Sequence, residues 1–263
     1  ELVDVVRQQV LRDGMDVREG AKIIRTEPYS GGVRVVLEKD GGEEVIDGSH
    51  LLIATGRRPN VAGLDLEKAG IEYSEKGILV DARLRTSNKR VFAIGDVVGG
   101  CLFTHVAGYH AGVVIKNALF HLPVKADHST APWVTFTTPE LAQVGLNEEE
   151  AKRTGKDFRV LRWPFHENDR AQTEGATDGL VKAIVTPRGR ILGCGIVGAR
   201  AGELIQPWVL AMSQKLKIGA LATMIAPYPT LGEVSKRAAS SFYTPSLFSD
   251  RTRKIVKFLA RFG

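Results

Sequence analysis

Val3, Val6, Val10 and Leu11 recur at helical spacing, and the pattern stops at Asp13-Gly14, which predicts an amphipathic helix and a turn. VREGAKIIRTE (17–27) then reads as an extended segment. GVRVVLE (32–38) and EEVIDG (43–48) flank Lys39-Asp40-Gly41-Gly42, whose residue types suit the turn of a β-hairpin. Two short apolar runs end on glycine, LLIATG (51–56) and RVFAIGD (90–96), and each predicts a strand buried on both faces. Gly63 to Gly77 reads as loop with one short helix. From Val106 to Leu122 the period is helical, and Pro123 ends it.

Near residue 128 the style changes. WVTFT (133–137), FRVLRWPF (158–165), GLVKAIVT (179–186) and RILGCGIVG (190–198) read as strands, with Pro187-Arg188-Gly189 turning between the last two. Strands joined by so short a turn must be antiparallel. Helices follow over 203–216, 218–225 and 231–242. The fold class predicted is therefore α/β followed by α+β, an antiparallel sheet with helices grouped after it. There is no internal repeat and no low-complexity stretch.

Composition narrows the function classes. At 43% hydrophobic and 25% charged, the 263 residues suit a soluble globular protein with ample material for a core. No apolar run approaches a membrane span, so no membrane partner is expected. Cys101 and Cys194 are too far apart for a C-x-x-C pair, a Cys-type zinc site or a disulfide framework. Two lone cysteines suit a reducing compartment and point to the cytoplasm. The net charge of +6 is local: residues 251–263 hold five of the 36 basic residues and no acid, leaving 31 against 30 elsewhere. That distribution argues against nucleic-acid binding. The tail RTRKIVKFLARFG places Ile255, Phe258, Leu259 and Phe262 on one helix face, which predicts a docked terminal helix rather than a membrane-surface or acidic-partner site.

Among chemical motifs, Gly193-Cys-Gly195-Ile-Val-Gly198 has the form G-x-G-x-x-G. It lacks the acidic residue about 20 positions on that a dinucleotide site needs, and its strand is one arm of a tight hairpin. Close packing of a glycine-rich strand is the preferred reading. ATGRRPN (54–60) and AIGD (93–96) are better placed, each at the carboxyl end of an apolar strand, where open α/β sheets hold ligands. Gly56 allows close backbone approach, and Asp96 offers a carboxylate to a polyol hydroxyl. Tight turns capped by aspartate are the alternative. His105 and His110, five apart, fall on different helix faces, so no metal site is expected.

ATGRRPN and TSNKRVFAIGDV together resemble the flavin-dependent pyridine nucleotide–disulfide oxidoreductases, the group of dihydrolipoamide dehydrogenase, glutathione reductase and mercuric reductase. The resemblance continues through FTHVAGYHAG, TTPELAQVGL, GRILGCGIVGARAGELI and APYPTLGEVSKRA, in the family's order. It implies FAD and NAD(P)H as cofactors and a homodimer through residues 129–263. Residues 1–53 would belong to the NAD(P)-binding domain, 54–128 to the FAD-binding domain and 129–263 to the dimerisation domain. It also places Gly56 beside the nicotinamide nucleotide and Arg57 near the flavin. Gly95-Asp96 would lie on the ribityl chain, and Leu102, Phe103, Thr104 and His105 at the isoalloxazine ring. The family's two G-x-G-x-x-G fingerprints and its C-x-x-x-x-C lie upstream in its members and are absent here, so the chain resembles the C-terminal half to two-thirds of such an enzyme.

In YPTLGE (228–233), Tyr228 stands where disulfide-reducing members have an acid–base histidine, and Glu233 where they have its orienting glutamate. A neutral imidazole takes a thiol proton near pH 7, but a phenol of pKa about 10 does not. Mercuric reductases are similar to this chain in carrying tyrosine there, although the paired cysteines near their C-terminus are missing. Interface packing is the alternative for Tyr228. The function implied is electron transfer from NAD(P)H via FAD to a disulfide or metal-ion substrate, with the fragment alone inactive. The alternative is a non-catalytic homodimerisation module.

Overall fold

A computed structural model describes residues 1–39 and 41–262. Asp40, in the predicted hairpin turn, and Gly263, at the end of the tail, lie outside the described residues. The first helix, α1 (Leu2–Arg12), forms as its periodicity predicts. Strands β1 (Lys22–Tyr29), β2 (Gly32–Lys39) and β3 (Gly42–Gly48) make an antiparallel sheet in that order. Its register sets opposite charges against each other. Arg34 lies across from Asp47 and donates two hydrogen bonds to it at 2.7 and 3.0 Å, the kind of cross-strand pair that fixes alignment.

The two apolar runs do not become strands. Residues 49–61 are irregular, with Leu52 88% and Ile53 73% exposed. Around RVFAIGD only a single bridge forms, between Arg85 and Phe92. A strand buried on both faces needs a neighbouring strand to satisfy its backbone, and none lies beside either run among the described residues. A two-strand ribbon, β4 (Tyr73–Ser74) with β5 (Gly77–Ile78), and the buried Leu66, Ile71, Ile78 and Ala93 form a small core there. The helix expected within 63–77 is a set of turns instead. The long predicted helix is α2 (Thr104–Ala118).

The second half is the largest unit. Strands β6 (Trp133–Thr135), β7 (Glu140–Gly145), β8 (Arg159–Pro164), β9 (Leu180–Val185) and β10 (Ile191–Gly198) form one sheet in the order β6-β7-β10-β9-β8, antiparallel throughout. Short helices α3 (Glu148–Arg153) and α4 (Asp169–Glu174) sit in its connections. Helices α5 (Ala201–Leu204), α6 (Gln206–Ser213), α7 (Ile218–Thr223) and α8 (Glu233–Ser240) follow it. They close over one face, around Phe165, Ile196, Trp208 and Val234, all shielded from solvent. Helix α1 crosses the other face at β7 and β10. β7 escaped the sequence reading because Glu140 and Gln143 interrupt its apolar run.

The tail departs from expectation. Helix α9 (Thr244–Leu247) leads to α10 (Asp250–Leu259), a helix that forms but has no buried residue along it. The predicted apolar face is there, and it lies open.

Candidate functional site

The site is built on the turn between residues 93 and 98. Gly95 adopts φ +69°, in the left-handed region, and a Cβ placed there would come within 3.0 Å of the Ala107 methyl on α2. The Gly95 N–H donates to Nδ1 of buried His110 at 3.1 Å, which fastens the turn to the helix. Asp96 therefore opens a 3-10 turn, Gly95–Val98, with its side chain exposed and its carboxylate bonded to no described residue. Beside it, α2 begins after Phe103, whose side chain makes no cap bond, so the first N–H groups stay available at the positive end of the helix. Thr104 and His105 occupy that first turn. The Phe103 and His105 rings stack with centroids 5.2 Å apart, and His105 Nε2 lies 2.8 Å from the Pro132 carbonyl oxygen and donates to it. Leu102 is half-buried at the entry to the helix.

Gly56 and Arg57 lie in the irregular 49–61 stretch, both exposed. Gly56 has φ +110° and open space where a Cβ would sit. The structure thus packs the Gly95–Val98 turn against α2, whose first turn carries Thr104 and His105. Glu233 opens α8 and Tyr228 lies five residues before it, in the segment after α7, and no hydrogen bond among the described residues links either to Asp96.

Sequence reasoning missed two residues that shape these sites. His128, in the loop after α2, places Nε2 at 2.6 Å from His110 Nε2. Because His110 accepts from Gly95 at Nδ1, its proton sits on Nε2 and is donated to His128, which fixes both tautomers. Eighteen positions of chain separate the pair, and no spacing signals it. Burial, and then the unfavourable electrostatic effect of His128 on a protonated ring, hold the His110 pKa below its ordinary 6.5. Unfolded His110 takes up a proton as pH falls through about 6.5, while folded His110 resists until lower pH, so the unfolded state binds more protons in that window. Stability is full above about pH 6.5 and falls below it. Melting temperatures measured from about pH 7.5 to about pH 5 are expected to drop more steeply in the wild type than in His110→Asn. Equal slopes would contradict the assignment.

The second missed residue is Asp169, at the start of α4. The Tyr228 hydroxyl donates to its Oδ2 at 3.0 Å. That hydrogen bond, then the Asp169 charge, raises the phenol pKa, with burial and Glu233 adding to the effect. Tyr228 is therefore a neutral phenol whose proton is donated to Asp169, and it is poorly suited to removing a proton from a thiol. Cys194 is fully buried and its thiol pushed up by that burial, so it is a core residue rather than a nucleophile. Gly193-x-Gly195 lies in the middle strand of the antiparallel sheet, where the Leu146 backbone beside Gly193 and the Leu2 and Gln143 side chains beside Gly195 fill the space a nucleotide would need.

The chain matches the pyridine nucleotide-disulphide oxidoreductase family over residues 1–111 and the dimerisation domain of the same family over 131–239. It belongs to that family. The mercuric reductase of Staphylococcus aureus is 36% identical over 244 residues, which cover 92% of this chain and 45% of that protein. The dihydrolipoyl dehydrogenase of Thermus scotoductus is 37% identical over 256 residues, covering 94% of this chain and 54% of the relative. Among solved structures, the HOCl-induced flavoprotein disulfide reductase RclA from Escherichia coli superposes with a TM-score of 0.82 at 29% identity, over 91% of this chain and 55% of that one. The chain spans about half the length of the curated relatives it matches. No helix among the described residues is long and apolar enough to cross a membrane.

Proposed function

We propose that this chain supplies the C-terminal part of an enzyme that passes electrons from NAD(P)H via FAD to a disulfide or metal-ion substrate. The observation that carries the reading is the exposed, uncommitted Asp96 carboxylate held beside the open N-terminus of α2 by the Gly95–His110 bond. These residues fit a flavin. A carboxylate accepts from the hydroxyls of a ribityl chain, and a helix N-terminus favours negative charge on a reduced ring. Gly56, with nothing in its Cβ space, allows close backbone approach, and Arg57 adds a cation. FAD, when bound, supplies the two-electron chemistry; the protein positions it and tunes its charge.

In this reading residues 1–53 complete an NAD(P)-binding domain, 54–128 an FAD-binding domain, and 129–263 form the dimerisation domain. Tyr228, oriented by Asp169, presents its hydroxyl to substrate across the dimer, with Glu233 nearby on α8. Without the fingerprints and dithiol the chain does not turn over by itself, and its own activity is dimerisation in a cytoplasmic setting.

Joined to an upstream half bearing both fingerprints and the dithiol, the chain is expected to bind FAD and oxidise NADH. There Asp96→Ala should weaken FAD retention by roughly ten- to a hundredfold, the worth of a hydrogen bond to a charged group. Flavin released on dilution or gel filtration measures it. Undiminished retention in Asp96→Ala would remove the carboxylate from the site.

A further inference from the structure

We propose that α10 docks the protein on an anionic lipid surface. The helix is well formed. Ser249 caps it, its Oγ accepting from the Thr252 N–H at 3.2 Å, and Asp250 occupies the first turn, where the helix dipole favours an acid. Yet its apolar stripe is bare: Ile255 is 49% exposed, Phe258 56%, Leu259 58% and Phe262 76%. Arg253, Lys254, Lys257 and Arg261 line the other side. Exposing four large apolar side chains in a row is costly in water and calls for a covering partner.

Charge decides which partner. Arg253 pairs with Asp250 at 3.5 Å, and the other four cations of residues 251–261 have no ion pair among the described residues and find no complementary excess in a body of 31 basic and 30 acidic residues. A second copy carries the same near-neutral body and the same cationic helix, so it offers no electrostatic match. An anionic bilayer offers both halves of what α10 lacks: negative headgroups for the cations and acyl chains for the stripe, reached with the helix lying in the surface plane. Long Lys and Arg side chains beside the stripe can lift their charges to the headgroups while their stems stay in apolar surroundings.

Co-sedimentation of the full chain with vesicles tests the assignment. Binding is expected to phosphatidylcholine vesicles containing phosphatidylglycerol, not to phosphatidylcholine alone, and to weaken as salt is raised. The triple variant Arg253→Gln/Lys257→Gln/Arg261→Gln should bind roughly a hundredfold more weakly, and Phe258→Ser/Phe262→Ser at least about tenfold more weakly. All five positions are exposed, so both variants should keep the wild-type melting temperature. No binding to anionic vesicles, equal binding to neutral ones, or variants that bind undiminished would each overturn the proposal. So would a change in oligomeric mass in the Phe258→Ser/Phe262→Ser variant, which would show that a second copy covers the stripe.

Discussion

Gly193→Ala is expected to destabilise the five-stranded domain by about 3 kcal/mol, the upper part of the usual range for overpacking. Gly193 on β10 faces Gly145 on β7 in register, and the two backbones approach as only glycines allow. A Cβ on Gly193 would overlap the Leu146 carbonyl oxygen and lie 2.5 Å from the Leu146 nitrogen, which donates to the Leu192 carbonyl at 3.0 Å. These are backbone atoms at the end of a ladder and cannot move aside as a side-chain tip could. Thermal unfolding should show a fall of about 6–12 °C for a unit of this size. Gly112→Ala is the control. That glycine lies in α2 with nothing within 4 Å of its Cβ position, so alanine should stabilise slightly. If the glycine motif instead held a nucleotide, Gly193→Ala would abolish a ligand and leave the melting temperature nearly unchanged.

Trp208→Ala should cost more, about 3–5 kcal/mol. The indole is wholly shielded from solvent at the centre of the helical layer. Its Nε1 donates to Ser235 Oγ on α8 at 2.9 Å, tying α6 to α8. Truncation leaves a cavity and strands a buried hydroxyl at once. Ser235→Ala keeps the indole but leaves its N–H unpaired, for a loss of about 1–3 kcal/mol. Urea midpoints should therefore fall in the order wild type, Ser235→Ala, Trp208→Ala. A Trp208→Ala variant within about 1 kcal/mol of wild type would mean that α6 and α8 are not packed as described.

What could be read from the residues depended on whether the chain satisfies itself. The hairpin β2–β3 and the β9–β10 hairpin were legible because each brings its own partner within a few residues. LLIATG and RVFAIGD misled for the complementary reason: their composition suits a central strand, but a central strand is defined by neighbours, and none stands beside them among the described residues. The α10 periodicity was read correctly and its burial was not, since periodicity records a helix's apolar face but not what meets it. Gly95 and Asp96 stood out as candidates from motif and position, and the start of α2 from the family resemblance. His128 and Asp169 did not, because each reaches its partner only through tertiary folding, across 18 and 59 residues.

The most direct measurement concerns the 263-residue chain itself, purified alone and examined by visible absorbance, NADH oxidation and light scattering. Under the proposed function a colourless homodimer at micromolar concentration, with no NADH oxidation, is expected, because these 263 residues hold no C-x-x-x-x-C and neither of the family's upstream glycine fingerprints. A yellow protein that oxidises NADH, or a strict monomer, would contradict it.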